Sequence, residues 1–279
     1  MRPEDKPRTL LFVDMLGFAE LTRHNPTRLL DWGPDASGVT GTSSTDLQSR
    51  IARFQGILDG MLQQERFNGG VSAQVFSDCA YIDLDTSLRA VRLSAALMRE
   101  FIANAIPVRM GLGRGTFYVF RYAIEHDGTD TITKALFAGT AVVNAHSAEH
   151  CGGKGCRIFV HPSVQADLDP QEPAPRFVLL PTPIGEVSSE VCYLLDEVFF
   201  VWPHEEAEDW KIVDSDLMIL GELEGMSRDC IAESVRVHYT ETFSAIERMR
   251  KAMGRGTTLE EAARNARRED ADHRPDGLD

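Results

Sequence analysis

Two acidic residues stand where a chain can do chemistry with them. Leu10-Leu11-Phe12-Val13 runs into Asp14, and Ala73-Gln74-Val75-Phe76-Ser77 runs into Asp78. A buried strand that ends on Asp presents its carboxylate at the rim of a sheet, where a cation can neutralise it. Two such carboxylates converging form a donor set for hard divalent ions, which activate a hydroxyl and polarise a phosphate. Gly17 lets the backbone approach a phosphate closely, and the helical pattern opening at Phe18 offers free N–H groups to it. On pattern alone, the same aspartates also read as a helix cap or as two unrelated surface acids.

The whole chain narrows the choices. Its 279 residues are 43% hydrophobic and carry a net charge of −14, which suits a large core and argues against a general nucleic-acid binder. A small anion remains a possible ligand, because a bound metal inverts the local field. Five cysteines at irregular spacing suit a reducing compartment rather than a disulfide framework. The start, Met1 to Pro7, has no apolar signal core, and the longest apolar stretch, Val191 to Trp202, is broken by Asp196 and Glu197. The expectation is a cytoplasmic protein with no membrane segment.

The elements that must carry these residues follow from periodicity. A Gly-, Pro- and Ser-rich loop from His24 to Asp46 precedes a helix with Leu47, Phe54, Leu58 and Met61 on one face. Ala73 to Leu84 reads as a hairpin pivoting on Ser77-Asp78, and Thr86 to Ala105 as an amphipathic helix. Val108 to Thr116 reads as a strand continuing through Phe120, Glu125 to Thr133 as a turn, and Phe137 to Glu149 as a helix. Cys156 to His161, a segment near Phe177 to Leu180 and Val191 to Val201 complete a mixed sheet. From Trp210 the pattern is helical, with Val235, Tyr239, Phe243, Ile246 and Met249 on one apolar face. The fold expected is α+β: residues 1–202 a catalytic domain, 203–254 a helical extension, and 255–279 a charged, disordered tail.

Four segments in this order carry a family resemblance. Phe12-Val13-Asp14-Met15-Leu16-Gly17-Phe18 resembles the first metal-binding strand of class III nucleotidyl cyclases, and Phe76-Ser77-Asp78 their second metal aspartate. Val108-Arg109-Met110-Gly111-Leu112-Gly113-Arg114-Gly115 is similar to their central strand. Gly139 through Glu149 resembles their Gly-x-Ala-Val-Asn-x-Ala-Ala-Arg-x-Glu helix. The resemblance implies a ferredoxin-type mixed sheet flanked by helices and two Mg²⁺ or Mn²⁺ ions held by Asp14, the Met15 carbonyl and Asp78. It also implies a triphosphate cradled by the N–H groups of Leu16, Gly17 and Phe18, and a homodimer with its sites at the interface.

The departures from the family pattern are specific. Purine cyclases read the base with residues that fall here at Gln74 and Leu136, so the purine-reading pair is missing. The transition-state Asn falls at Val143, with Asn144 one place on, and the Arg falls at Ser147. Arg109 and Arg114 are alternative triphosphate cations, with Arg114 preferred. The combination resembles the pyrimidine cyclases of the Pycsar antiphage system, which implies UTP, or CTP, as substrate and a separate effector protein that reads the cyclic product. Gln74, which both donates and accepts, would read the smaller base. The altered helix equally fits a cyclase-like module that binds nucleotide without chemistry. His146, His150, Cys151 and Cys156 can be grouped as a zinc set, but their spacing fits no common closed site.

Overall fold

Alternation places Leu10 and Phe12 on one face of the first strand and Leu11 and Val13 on the other. All four are buried, so that strand lies between layers on both sides. The computed structural model describes residues 6–24, 46–126, 130–168, 179–184, 187–192, 210–229 and 233–252. In chain order its elements are β1 (Arg8–Met15), α1 (Phe18–His24), α2 (Asp46–Asn68), β2 (Val71–Val75), β3 (Cys79–Leu84), α3 (Ser87–Ala103), β4 (Val108–Gly115), β5 (Tyr118–His126) and β6 (Asp130–Ala138). They continue with α4 (Thr140–Glu149), β7 (Ile158–Val160), α5 (Pro162–Gln165), β8 (Leu179–Ile184), β9 (Val187–Val191), α6 (Trp210–Asp229) and α7 (Glu233–Ala252).

One sheet runs in the order β2-β3-β1-β4-β7-β9-β8. Each of the first four strands is antiparallel to its neighbour in the sheet, and β4 pairs with β7 in parallel. This is the split βαβ order of a ferredoxin-type core, extended at one edge into a mixed α+β sheet flanked by helices.

One face of the sheet supplies Leu11, Val13, Ile82, Met110 and Leu112 to the main core, which α2 and α3 close with Phe54, Leu58, Leu97 and Phe101. Ile219 and Leu223 of α6, and Tyr239, Ile246 and Met249 of α7, belong to the same core. The apolar face of the C-terminal helices is therefore buried by the domain itself. Further ties run from α7 to the turn before β7: Thr242 Oγ1 accepts from the Cys156 N–H at 2.8 Å and His238 Nδ1 from the Gly155 N–H at 3.2 Å.

The other face carries α4, packed almost backbone to backbone on β4. Gly111 and Gly113 point at Ala145, and a Cβ at Gly113 would lie 2.2 Å from the Ala145 nitrogen. Small residues on both partners make that approach possible. The run Gly111-Leu112-Gly113-Arg114-Gly115 is thus a helix-packing strip.

Several sequence expectations change. The strand from Val108 does not continue through Phe120. It stops at Gly115, and β5 starts a separate two-stranded sheet with β6. The polar stretch Glu125–Thr133 is mostly strand, since β5 and β6 pair in register as far as His126 and Asp130. Phe137 and Ala138 end β6, and the helix begins only at Thr140. Val191 ends β9 rather than opening a strand. Most of the loop 24–46, residues 193–209 and the tail 255–279 lie outside the described residues.

Candidate active site

The rim of β1 is the place where the sequence-derived residues meet. Asp14 pairs in register with Cys79 on β3 and with Arg109 on β4. Cross-strand partners point to the same face, so the Asp14 carboxylate, the Cys79 thiol and the Arg109 guanidinium share the α4 side. Asp78 follows β2 in the hairpin turn, and its backbone carbonyl accepts the Met15 N–H at 2.8 Å. The two aspartates are therefore held side by side at one sheet edge, with the Asp78 carboxylate also accepting from Ser77 Oγ at 3.0 Å.

A third acid stands behind them. Glu149, at the end of α4, is fully buried and paired with Arg109. Arg109 also donates to the Gly153 carbonyl at 3.1 Å. Burial, then Glu149, push the Asp14 carboxyl up to about 7; Arg109 opposes the rise and Asp78 adds to it. Desolvation and the same acids raise the Cys79 thiol to about 11, so this cysteine is a neutral neighbour.

Around Asp14 the carboxylates of Asp78 and Glu149 thus face a single guanidinium. A cluster short of positive charge and built from hard oxygen donors fits Mg²⁺ or Mn²⁺, with the Met15 carbonyl beside it. Among the described residues no group of three His, Cys, Asp or Glu side chains is placed to hold a metal. The carboxylate pair would need that carbonyl, water or substrate oxygens to complete a coordination shell.

Of the three amides expected to cradle phosphate, Leu16 is already taken, because its N–H donates to the Pro107 carbonyl at 2.9 Å. That correction leaves Gly17 and Phe18. Gly17 has φ +76°, a conformation strained for other residues, and it leans towards Val235 of α7.

Gln74 is half-buried on β2 and pairs in register with Tyr81. Tyr81 stacks on Phe12 at 4.5 Å and meets Phe137 at 4.7 Å. Leu136, next to Phe137 on β6, is 53% exposed. Gln74 thus sits at the edge of an aromatic floor with the β5–β6 ribbon beside it.

Two expected residues are turned to other tasks. Arg114 pairs in register with Thr9, at the far end of β1 from Asp14 and on the opposite face. There it contacts Asp167 at 2.9 Å and donates to Thr9 Oγ1 at 3.1 Å. Arg109 is the arginine the fold brings to Asp14; its position opposite Asp14 in the next strand was the signal, legible only once the strand register is known. Asn144 donates its amide to the Arg114 carbonyl at 2.9 Å and so fastens α4 to β4. Val143, by contrast, is 62% exposed.

No protein-family profile and no curated protein matches the chain. Solved structures do. The non-canonical dimeric guanylyl cyclase domain of the RhoGC fusion protein from the aquatic fungus Blastocladiella emersonii is 16% identical, with 67% of this chain and 95% of that one covered at a TM-score of 0.46. The guanylate cyclase domain of RhGC from Catenaria anguillulae, in complex with GTP, is 16% identical over 67% and 94%, with a TM-score of 0.46. The adenylyl cyclase CyaB from P. aeruginosa is 14% identical over 67% and 94%, with a TM-score of 0.43.

Proposed function

We propose that this chain is a nucleotidyl cyclase that closes a pyrimidine nucleoside triphosphate, UTP ahead of CTP, into a 3′,5′-cyclic nucleotide with release of pyrophosphate. The observation that carries the reading is the placement of Asp14 beside Asp78 at one sheet edge, in a cluster short of positive charge. Asp14, Asp78 and the Met15 carbonyl would hold Mg²⁺ or Mn²⁺. When bound, such ions make the ribose hydroxyl a better nucleophile and stabilise charge on the phosphates.

The chain's own groups supply the rest. Gly17 and Phe18 offer backbone N–H groups to the triphosphate. Gln74 presents one donor and one acceptor to the edge of a single-ring base, with Leu136 as an apolar neighbour. Asn144 positions α4. Arg114, which faces away from Asp14, has no part in this proposal.

Phe76 (46% exposed), Phe120 (55%), Leu136 and Val143 leave large apolar side chains uncovered on the ribbon, the β2–β3 turn and α4. A second copy of the chain covers such a surface in this reading, and the sites lie at that interface. In the antiphage setting suggested by the resemblance, a separate effector protein reads the cyclic product.

The test is to incubate the protein with each of the four common NTPs and Mn²⁺, then assay pyrophosphate and cyclic product. UTP or CTP turnover that disappears in Asp14→Ala and Asp78→Ala supports the proposal. Turnover of purine nucleotides alone refutes the pyrimidine assignment. Nucleotide binding with no cyclic product favours the second reading, a binding module, which the exposed Val143 and the half-buried Ser147 on α4 support.

A further inference from the structure

The turn Gly152-Gly153-Lys154-Gly155, between α4 and β7, reaches the same sheet edge as Asp14, and strand register fixes how near. On β1 and β4, Met15 lies opposite Val108, and the Leu16 N–H donates to the Pro107 carbonyl at 2.9 Å. On β4 and β7, which run parallel, Met110 lies opposite Ile158 and donates to the Arg157 carbonyl at 2.9 Å. The Cys156 side chain bonds to the Val108 backbone, which carries that register back beyond β7. Met15, Val108 and Cys156 therefore form one row across three strands. Gly17 and Lys154 lie two residues past the ends of that row, on the same side, about 10 Å or two strand spacings apart.

Helix α7 gives a second, independent measure. A Cβ at Gly17 would lie 3.7 Å from Val235 Cγ1, and one turn further along α7 the His238 ring accepts the Gly155 N–H at 3.2 Å. Those two helix positions differ by a rise of about 4.5 Å, so α7 holds the Gly17 turn and the Gly155 turn side by side. Burial first, and then Arg109 and Lys154, disfavour a proton on His238, so both cations stand near its ring. The turn is also fastened from the sheet, because Arg109 donates to the Gly153 carbonyl at 3.1 Å. Neighbouring arginines are already matched: Arg109 by Glu149, Arg114 by Asp167 and Arg157 by Glu190. Lys154 is exposed and pairs with no acid among the described residues.

We propose that Lys154 binds the β- and γ-phosphates of the substrate, across from the Gly17 and Phe18 amides. The proposal rests on reading the Asp14 rim as a nucleoside triphosphate site, and it adds the side-chain cation that reading lacks once Arg114 faces away. An ammonium is a compact charge on a flexible stem, suited to terminal phosphates as a point charge. It would also offset the charge that collects on pyrophosphate as the leaving group departs. Lys154 acts by direct contact with phosphate oxygens, whereas His238 acts through the Gly155 backbone and is a positioning residue.

The experiment uses the full chain with Mn²⁺ and inorganic tripolyphosphate as the probe in isothermal titration. Lys154→Gln should weaken binding about tenfold or more, and Lys154→Arg should keep most of it. Lys251→Gln removes the same charge from an exposed position about 24 Å beyond Val235 along α7 and should bind as the wild type does. Ligand-free melting of Lys154→Gln should match the wild type, because no ion pair is lost. No tripolyphosphate binding to the wild type, equal affinity in Lys154→Gln, an equal loss in Lys251→Gln, or an Arg variant as weak as the Gln variant would overturn the inference. Its failure is separable from that of the cyclase reading. Lys154-dependent binding with no cyclic product removes the cyclase and keeps this contact, while UTP or CTP turnover unchanged in Lys154→Gln removes the contact and keeps the cyclase.

Discussion

Replacing Asp14 by Asn should make the metal-free protein more stable. The Asp14 carboxyl is ordinarily half-ionised at 3.8 and is raised to about 7 by burial, by Glu149 and by Asp78, against the opposing pull of Arg109. A carboxyl whose folded value lies above its unfolded value is bound to its proton more tightly in the native state. Its contribution to stability is intact below the unfolded value, falls as pH rises between the two, and is fully lost above about 7. About three pH units correspond to roughly 4 kcal/mol at most, and partial solvent access brings this to about 2–4 kcal/mol. For a chain of this size that is a melting difference of about 3–7 °C. Thermal melts in EDTA should show Asp14→Asn above the wild type at about pH 8.5, with the gap closing as pH falls towards about 4. Adding Mn²⁺ should raise the wild-type melting temperature and leave Asp14→Asn unmoved, since only a species that binds the native state stabilises it. Parallel melting curves across the pH range, or an Asn variant less stable at the alkaline end, would refute the electrostatic reasoning.

Three further outcomes follow from the packing. Gly113→Ala places a methyl 2.2 Å from the Ala145 nitrogen, so α4 must retreat by about 1 Å at a cost of about 3 kcal/mol, read as a lower urea midpoint. His238 is held near 4 by burial, with Arg109 and Lys154 adding to the effect, below its ordinary 6.5. Its neutral form is therefore the one the fold stabilises, and that stability is lost as pH falls from about 6.5 to 4. His238→Gln keeps an acceptor for the Gly155 N–H and should flatten this acid limb in a pH-melting series; an unchanged limb would point elsewhere. If the proposed dimer closes over the ribbon, Phe120→Asp should sediment as a monomer where the wild type sediments as a dimer, without a lower melting temperature; a retained dimer would move the interface off the ribbon.

The strand that carries Asp14 was legible because it couples a buried apolar run to a single acid, whereas Asp78 lies in the hairpin turn after the half-exposed β2. The helix over Ser87–Ala103 was legible from its stripe, with Thr86 accepting from the Arg89 N–H as its cap. The β5–β6 ribbon was not, because its polar residues read as a turn, although the β-branched run Thr131-Ile132-Thr133 favours strand. The roles of Arg109 and Arg114 were out of reach for a different reason. Both lie on one strand, five residues apart, so they face opposite sides of the sheet. Only the register with β1 decides which of them meets Asp14. Glu149 closes the helix motif, but its burial depends on the glycines of β4, a contact no local pattern contains.

That contact ties the fold to the chemistry. Were Gly111 or Gly113 any larger residue, α4 would stand off from the sheet, since a Cβ at Gly111 would lie 2.6 Å from the Glu149 nitrogen. Glu149 would then meet water, which screens its charge, and Asp14 would lose the second-largest influence raising its carboxyl. The close packing therefore keeps negative charge crowded at the rim, where one guanidinium cannot balance it. A rim meant only to be stable would be served by Asn at position 14. Holding Asp there beside Asp78, with Glu149 sealed behind, makes sense for a surface whose missing positive charge arrives with the ligand.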